Sequence, residues 1–427
     1  MATIRPFSGL RYTDKAGELG QLVAPPYDVL SSKERDEYAA KNPHNIVHLT
    51  LPEQRGDDRS KFVKYARSAA DLAEWRRSGA LAADAKPAFY RYRQTFKIPG
   101  EPTDYTRVAF IALIRVEPYE NGVVLPHEQT FPKHKEDRLR ILEATRSHLE
   151  CIFGLFEDPG GAVLSEIVSA PETSSVEVTT EDGVHHVLEL IQDEKRVSKL
   201  AANLKDKKVW IADGHHRYET ALTFRASLGE KPGPVAEDFM MMALSSMSDP
   251  GLVLLPTHRI VKTLPVAEHL LENLFQKYFN VRKIGNASLM RELEDLNSPD
   301  ERAFAVALPS GGGFLLTLEK PEDALKWIDG PGSDQLKLLD VSILHELIFG
   351  KILDLHGLDF FSYTRDPDEA LDAVKHGAAA AFLMNPPTVD EMRLIALGGE
   401  KMPQKSTFYY PKILSGLVLW SLNDFTP

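Results

Sequence analysis

The sequence predicts a protein of the α+β class, and three observations carry that expectation. Two stretches of strand character, "AFYRYRQTF" and "RVAFIALIRV", follow a segment whose apolar residues recur at helical spacing. An apolar run, "VWIA", passes through Asp213-Gly214 straight into a helical pattern. Between 265 and 330, two helical and two strand-like stretches make up a smaller α/β unit.

Taken in order, the chain opens with a short strand around Ile4 and a rigid turn at Pro25-Pro26. Ser31 or Ser32 then caps a helix running through Ala40. "NIVHLTL" alternates well enough to be a strand. Residues 60–79 read as a helix closed by Gly79, with Phe62, Tyr65, Ala69, Leu72 and Trp75 on one face. The two long strands come next, then a strand, a polar loop and a helix over "GVVLPHEQTFPKHKEDRLRILEATRSHL". A strand-rich stretch is expected over 162–191 and a helix over 192–205. "MMMALSSMSDPGLVLLPTHRIV" supplies further strands about an "SDPG" turn. Helices at 266–278 and 287–295 and strands at 303–308 and 313–318 follow, and "GAAAAFLMNPPTVDEMRLIALGG" reads as a strand then a helix.

A length of 427 residues favours two or three domains. The expected division is a core over 1–264, the small α/β subdomain over 265–330, and a segment over 331–427 that packs back on the core. Acidic residues outnumber basic ones, 62 to 50, giving a formal net charge of −12. That balance weighs against a nucleic-acid or anionic-lipid partner, both of which need a basic footprint. A single cysteine, Cys151, excludes an intramolecular disulfide and multi-cysteine metal centres. "MATIRPFSGLRY" lacks the apolar core of a signal peptide, and no run of eighteen apolar residues occurs, so a cytoplasmic protein with no membrane partner is expected.

"VWIADGHHRYETAL" concentrates the chemistry. A helix that starts at such a turn offers orphan backbone N–H groups and a partial positive charge to an anion. Gly214 lets the backbone approach a ligand, His215, His216 and Arg217 supply donors suited to phosphate, and Asp213 can hold Mg²⁺ or orient a histidine. The bland alternative is an ordinary helix capped by Asp213, and a zinc pair of His215 with Glu219 lacks a third ligand in sequence. A second constellation sets His127 and Glu128 in a loop after a strand, with Lys133, Lys135, Arg138 and Arg146 downstream. Its bland alternative is a solvated helix face. "APPYDV" places Tyr27 and Asp28 behind the double proline. His258 and Arg259 in "LPTHRIV", and Lys405, Ser406 and Thr407 in "MPQKSTFYYPK", are positioned where an anion can be touched. No Walker-type, Rossmann GxGxxG or GxSxG pattern is present.

Read in order, "APPYDV", "NIVHLTLPE", "LPHEQT", "DRLRILEATR", "IFGLFED", "ADGHHRYETAL" and "MPQKSTFYYPK" resemble the bacterial and archaeal family called domain of unknown function 1015. The DGHHR segment is similar to that of ADP- or ATP-dependent free-serine kinases of the ParB/sulfiredoxin superfamily. The resemblance implies a mixed-sheet ParB/sulfiredoxin-like core with large α/β insertions, and a kinase that phosphorylates a serine-like hydroxyl using ATP or ADP with Mg²⁺. It implies catalytic roles for Glu128, as general base, with Asp213 and His216. Gly214, His215 and Arg217, with Lys135 and Arg138, would hold phosphates, and Tyr27, Asp28 and His127 the acceptor. A nucleotide hydrolase using the same turn, and a ParB-like binding protein without turnover, are the competing expectations.

Overall fold

A computed structural model describes residues 1–98, 101–128, 130, 132–171, 174–296, 298, 301–357, 359–403 and 405–426, with backbone alone at 132–134. The chain divides into two units: Met1–Pro126, Thr130–Val253 and Pro411–Pro427 form unit 1, and His127–Gln129 with Leu254–Tyr410 form unit 2.

Unit 1 is built on a mixed sheet. Its strands are β1 (Ile4–Arg5), β2 (Phe89–Lys97), β3 (Asp104–Arg115), β4 (Val124–Leu125), β5 (Ile152–Phe156), β6 (Ser175–Thr179), β7 (His185–Ile191), β8 (Val209–Asp213) and β9 (Phe239–Ser246). They lie in the order β4-β8-β5-β9-β3-β2-β7-β6, with β1 beside β3. The pairs β8–β4 and β9–β5 are parallel. The β2–β3 hairpin is antiparallel, from Tyr90 opposite Ile111 to Lys97 opposite Asp104. Every residue of β9, and of β3 from Arg107 to Ile114, is buried. Such continuous burial marks a sheet covered on both faces, which is why these stretches read as unbroken apolar runs.

The helices of unit 1 include α1 (Ser32–Lys41), α2 (Val47–Thr50), α3 (Val63–Ser78), α4 (Pro132–Thr145), α5 (Ala162–Val168), α6 (Glu194–Leu204) and α7 (His215–Ser227). Ser31 caps α1 through a reciprocal bond with Glu34, and Gly79 ends α3 in the left-handed region. One core joins Val163 and Ile167 of α5, Leu200 and Leu204 of α6, and Tyr218 and Ala221 of α7 to the sheet. A second gathers Leu72, Trp75, Ile141, Leu149 and Leu419.

Two elements differ from expectation. "NIVHLTL" contains the helix α2 rather than a strand. It buries Val47, Leu49 and Thr50 together, and Ser68 on α3 donates to Leu49 O at 2.8 Å. A short apolar run buried on several sides does not reveal its period. The stretch 162–191 opens with α5 before its strands; the Asp158 carboxylate accepts from Val163 N and Leu164 N at 3.0 Å and satisfies the helix start.

Unit 2 holds an antiparallel sheet of β10 (His258–Val261), β11 (Asn280–Gly285), β12 (Arg302–Ala307), β13 (Gly312–Leu318), β14 (Phe361–Thr364) and β15 (Ala380–Met384), in the order β11-β13-β12-β15-β10-β14. One face packs Ile260, Ala303, Ala305, Ala381 and Leu383 against α8 (Leu289–Glu294) and α9 (Pro367–Lys375). The other meets a π-helix, Ile343–Ile352, whose Phe349 ring lies 4.5 Å from Phe361 and 4.9 Å from Phe382. Among the described residues no helix is long and apolar enough to cross a membrane.

Candidate functional site

β8 is buried from Val209 to Ala212 and lies between β4 and β5, so the sheet itself delivers Asp213 and Gly214 to the start of α7. Gly214 adopts φ 93°, and a Cβ there would stand 2.6 Å from Ile152 Cγ2. Only glycine meets both demands. No side chain caps α7. Asp213, the cap of the bland alternative, turns instead to two cations: Oδ1 is 2.5 Å from Lys412 Nζ and Oδ2 is 3.0 Å from Arg217 Nη2. Burial alone would raise its pKa, but Lys412 and Arg217 outweigh that and hold the carboxyl down at about 2.

Arg217 is a fixed, largely buried group. Nη1 donates to Cys151 O at 2.7 Å, Nη2 holds Asp213, and Nε is buried with no partner among the described residues. Despite the burial, the Glu150 and Asp213 carboxylates hold its pKa above the usual arginine value. Glu150 Oε1 accepts from Tyr27 N and Ser415 Oγ, each at 3.0 Å, while Oε2 lies 3.9 Å from Arg138 Nη1. The Arg138 guanidinium stacks 3.9 Å from the Tyr27 ring centre and donates to Thr50 O and Asp137, leaving its own Nε buried without a partner among the described residues. A cavity of about 50 Å³, large enough for water, meets Arg138, Glu150 and Arg217 on one part of its wall and the apolar Ile141, Leu142, Leu149 and Met240 on the rest.

The structure thus brings Tyr27, Arg138, Asp213, Gly214, His215 and Arg217 into one part of unit 1, where burial, and then the adjacent Asp28, raise the pKa of Tyr27. His215 is buried and His216 half-buried on the first turn of α7. Lys135 is drawn aside into an ion pair with Glu219, whose Oε2 also accepts from Thr130 Oγ1 at 2.7 Å; the zinc pairing of Glu219 with His215 finds that carboxylate already held. Arg146 pairs with Glu237, and the Lys133 side chain lies outside the described residues. His127 and Glu128 belong to unit 2. There the buried His127 shares a 2.7 Å hydrogen bond through Nε2 with Thr407 Oγ1, and Glu128 Oε1 accepts from Lys405 N at 2.9 Å.

Both oxygens of Asp213 are engaged by cations, so this donor set does not fit a divalent metal ion, and the expected Mg²⁺ role of Asp213 finds no support in the geometry. Sequence reasoning left two members of the cluster unassigned. Lys412 closes "MPQKSTFYYPK" and carried its signal within that motif, whereas Glu150, beside Cys151, had none.

The family model described as "Protein of unknown function (DUF1015)" matches residues 4–342. Among curated protein sequences, none matches. Solved structures similar to the chain include a free serine kinase in complex with AMP, at 15% identity, covering 70% of this chain and 86% of that one, with a TM-score of 0.34. A conserved hypothetical protein from Pyrococcus furiosus is 16% identical, covering 74% of this chain and 97% of that one, with a TM-score of 0.36. C-terminally truncated SbnI from Staphylococcus aureus is 11% identical, covering 72% and 86% respectively, with a TM-score of 0.36. The ordered motifs and a family match spanning 4–342 agree: this chain belongs to the DUF1015 family.

Proposed function

We propose that this protein is a nucleotide-dependent small-molecule kinase with a ParB/sulfiredoxin-like core, transferring a phosphoryl group from ATP or ADP to the hydroxyl of a serine-like acceptor. The observation that carries this reading is the left-handed Gly214 opening a thirteen-residue helix beside the fixed Arg217 guanidinium. Phosphoryl transfer needs charge stabilisation and an oriented hydroxyl rather than covalent help from the protein. The first turn of α7 offers backbone N–H groups and the positive end of the helix dipole to phosphate oxygens. Gly214, His215 and Arg217 take the phosphates in this reading. Asp213 acts by orientation: it holds Lys412 and Arg217 in place and stays ionised.

Glu128 is the proposed general base and His216 a further catalytic group, with Tyr27, Asp28 and His127 assigned to the acceptor. Lys135 and Arg138 support the phosphate end through charge, although both already hold protein carboxylates. Any metal ion that accompanies ATP would come with its phosphates. The acid excess of the chain keeps nucleic acid out of the reading.

The test is to incubate the full chain with ADP or ATP and a panel of small hydroxyl compounds including L-serine, and to follow phosphorus by NMR. A new phosphomonoester signal is expected. Inorganic phosphate alone would favour the hydrolase, and an unchanged nucleotide would refute both.

A further inference from the structure

Two motifs that the proposed chemistry leaves unused meet inside unit 2. "PTHR" leads into β10, and "KSTF" runs past it: Leu255 N donates to Phe408 O at 2.9 Å, and Arg259 Nη2 donates to Lys405 O at 3.3 Å. Arg259 stands opposite Tyr363 in β14 and Phe382 in β15. Its neighbour Ile260 faces the α8–α9 core, so strand alternation turns Arg259 to the π-helix face.

Arg259 is only 1% exposed, yet among the described residues no carboxylate pairs with it. Its remaining bonds run to His345 Nε2 at 3.3 Å, to Met384 Sδ at 2.9 Å and to Thr257 O. Burial, and then the neighbouring Arg365, depress its pKa to about 10. The Thr257 hydroxyl, on a residue 2% exposed, is buried with no partner among the described residues. A buried charge without a counter-charge is costly and rarely kept without use. Thr257 immediately precedes β10, and its carbonyl accepts from Arg259 Nη1. Register places Tyr363 beside Arg259, and Arg365 follows two residues on. Tyr363 and Arg365 are partly exposed, and Arg365 stacks 4.1 Å from the Phe408 ring centre, so they form the rim. Lys405, exposed and at φ 59°, joins this cluster to Glu128: its N–H donates to Glu128 and its carbonyl accepts from Arg259.

We infer that Arg259, with Thr257, Tyr363 and Arg365, binds the carboxylate of the acceptor, making that acceptor a short hydroxy acid rather than a neutral alcohol or an amine. The inference rests on the kinase reading for the identity of its ligand. The missing counter-charge of Arg259 is supplied by the ligand, and one residue, Lys405, separates the carboxylate-binding arginine from the proposed base.

The experiment uses the full chain without nucleotide, titrated calorimetrically with L-serine, D-glycerate, L-serinamide and glycerol. At least one of the two acids is expected to bind tenfold or more tightly than its counterpart without the carboxylate. Arg365→Gln, at the partly exposed rim, should weaken that binding at least tenfold, and Tyr363→Phe should do so by a smaller factor. Arg259→Lys should abolish it; if that variant fails to fold, the two rim variants decide. Absence of binding by both acids, equal binding of each acid and its carboxylate-free analogue, or an Arg365→Gln variant that binds normally would each overturn the inference. Failure of the kinase reading looks different: carboxylate-dependent binding persists, and no phosphomonoester forms with any nucleotide. A phosphomonoester formed as readily from serinamide as from serine would keep the kinase and remove this site.

Discussion

Lys412 Nζ sits 2.5 Å from Asp213 Oδ1, so the final segment of unit 1 is tied to the turn that opens α7. The same carboxylate holds Arg217 Nη2. Asp213 therefore acts as an anchor for two cations beside a helix start, and its charge is set by them.

Replacing Lys412 with Met removes one of those cations. Asp213 keeps Arg217, so a loss of roughly 2–3 kcal/mol is expected, below the cost of stranding a buried charge entirely. The folded pKa of Asp213, about 2, is depressed below its unfolded value, so its contribution is present above pH 4 and lost as pH falls toward 2. Lys412→Met raises that pKa and moves the acid loss to higher pH. Urea unfolding from pH 2 to 7 reads it; identical acid limbs in the two proteins would contradict the role.

Gly214→Ala faces a left-handed backbone and a 2.6 Å contact with Ile152 Cγ2. A destabilisation of about 1–3 kcal/mol is expected, together with weaker nucleotide binding as the first turn of α7 shifts. Thermal unfolding with and without ADP separates the two effects. Full stability in the alanine variant would show that the turn tolerates a side chain.

Glu128→Gln keeps an oxygen to accept from Lys405 N, so nucleotide affinity and fold should persist while turnover drops by a factor on the order of 10²–10⁴. Single-turnover kinetics measure this directly. A fully active glutamine variant would pass the role to another group, Asp28 first.

His186 in unit 1 and His258 in unit 2 are 2% and 0% exposed, and burial lowers each pKa to about 4. Both stay neutral in the native state while their unfolded forms take up a proton below pH 6.5. Their contribution is therefore complete above pH 6.5 and shrinks toward pH 4, by roughly 2–3 kcal/mol each. Denaturant unfolding at pH 7 and pH 5 should show the fall, and equal stabilities at those two values would oppose it.

Much of this architecture was legible because local signals agreed. The strand–Gly–helix reading at 209–228 matches β8 and α7, and the Ser31 cap, the Gly79 stop and the strands at 303–308 and 313–318 appear within a residue or two. Local pattern failed at α2, where burial rather than periodicity decided the conformation. The partners of the site were harder to see. Glu150 and Lys412 reach Arg217 and Asp213 across long sequence separations, whereas Arg259 was legible as a residue able to touch an anion and only its burial was not. Long-range charge pairing leaves no spacing in a sequence to read.

The most direct test of the central claim is a calorimetric titration of ADP and ATP into the wild-type chain and into Arg217→Ala, with the fold of each verified by circular dichroism. The account predicts that the wild type binds at least one of them and that Arg217→Ala binds it about 10- to 150-fold more weakly, the range for a charge-assisted hydrogen bond of about 1.5–3 kcal/mol. Unchanged affinity in Arg217→Ala, or no binding of either nucleotide to the wild type, would contradict it.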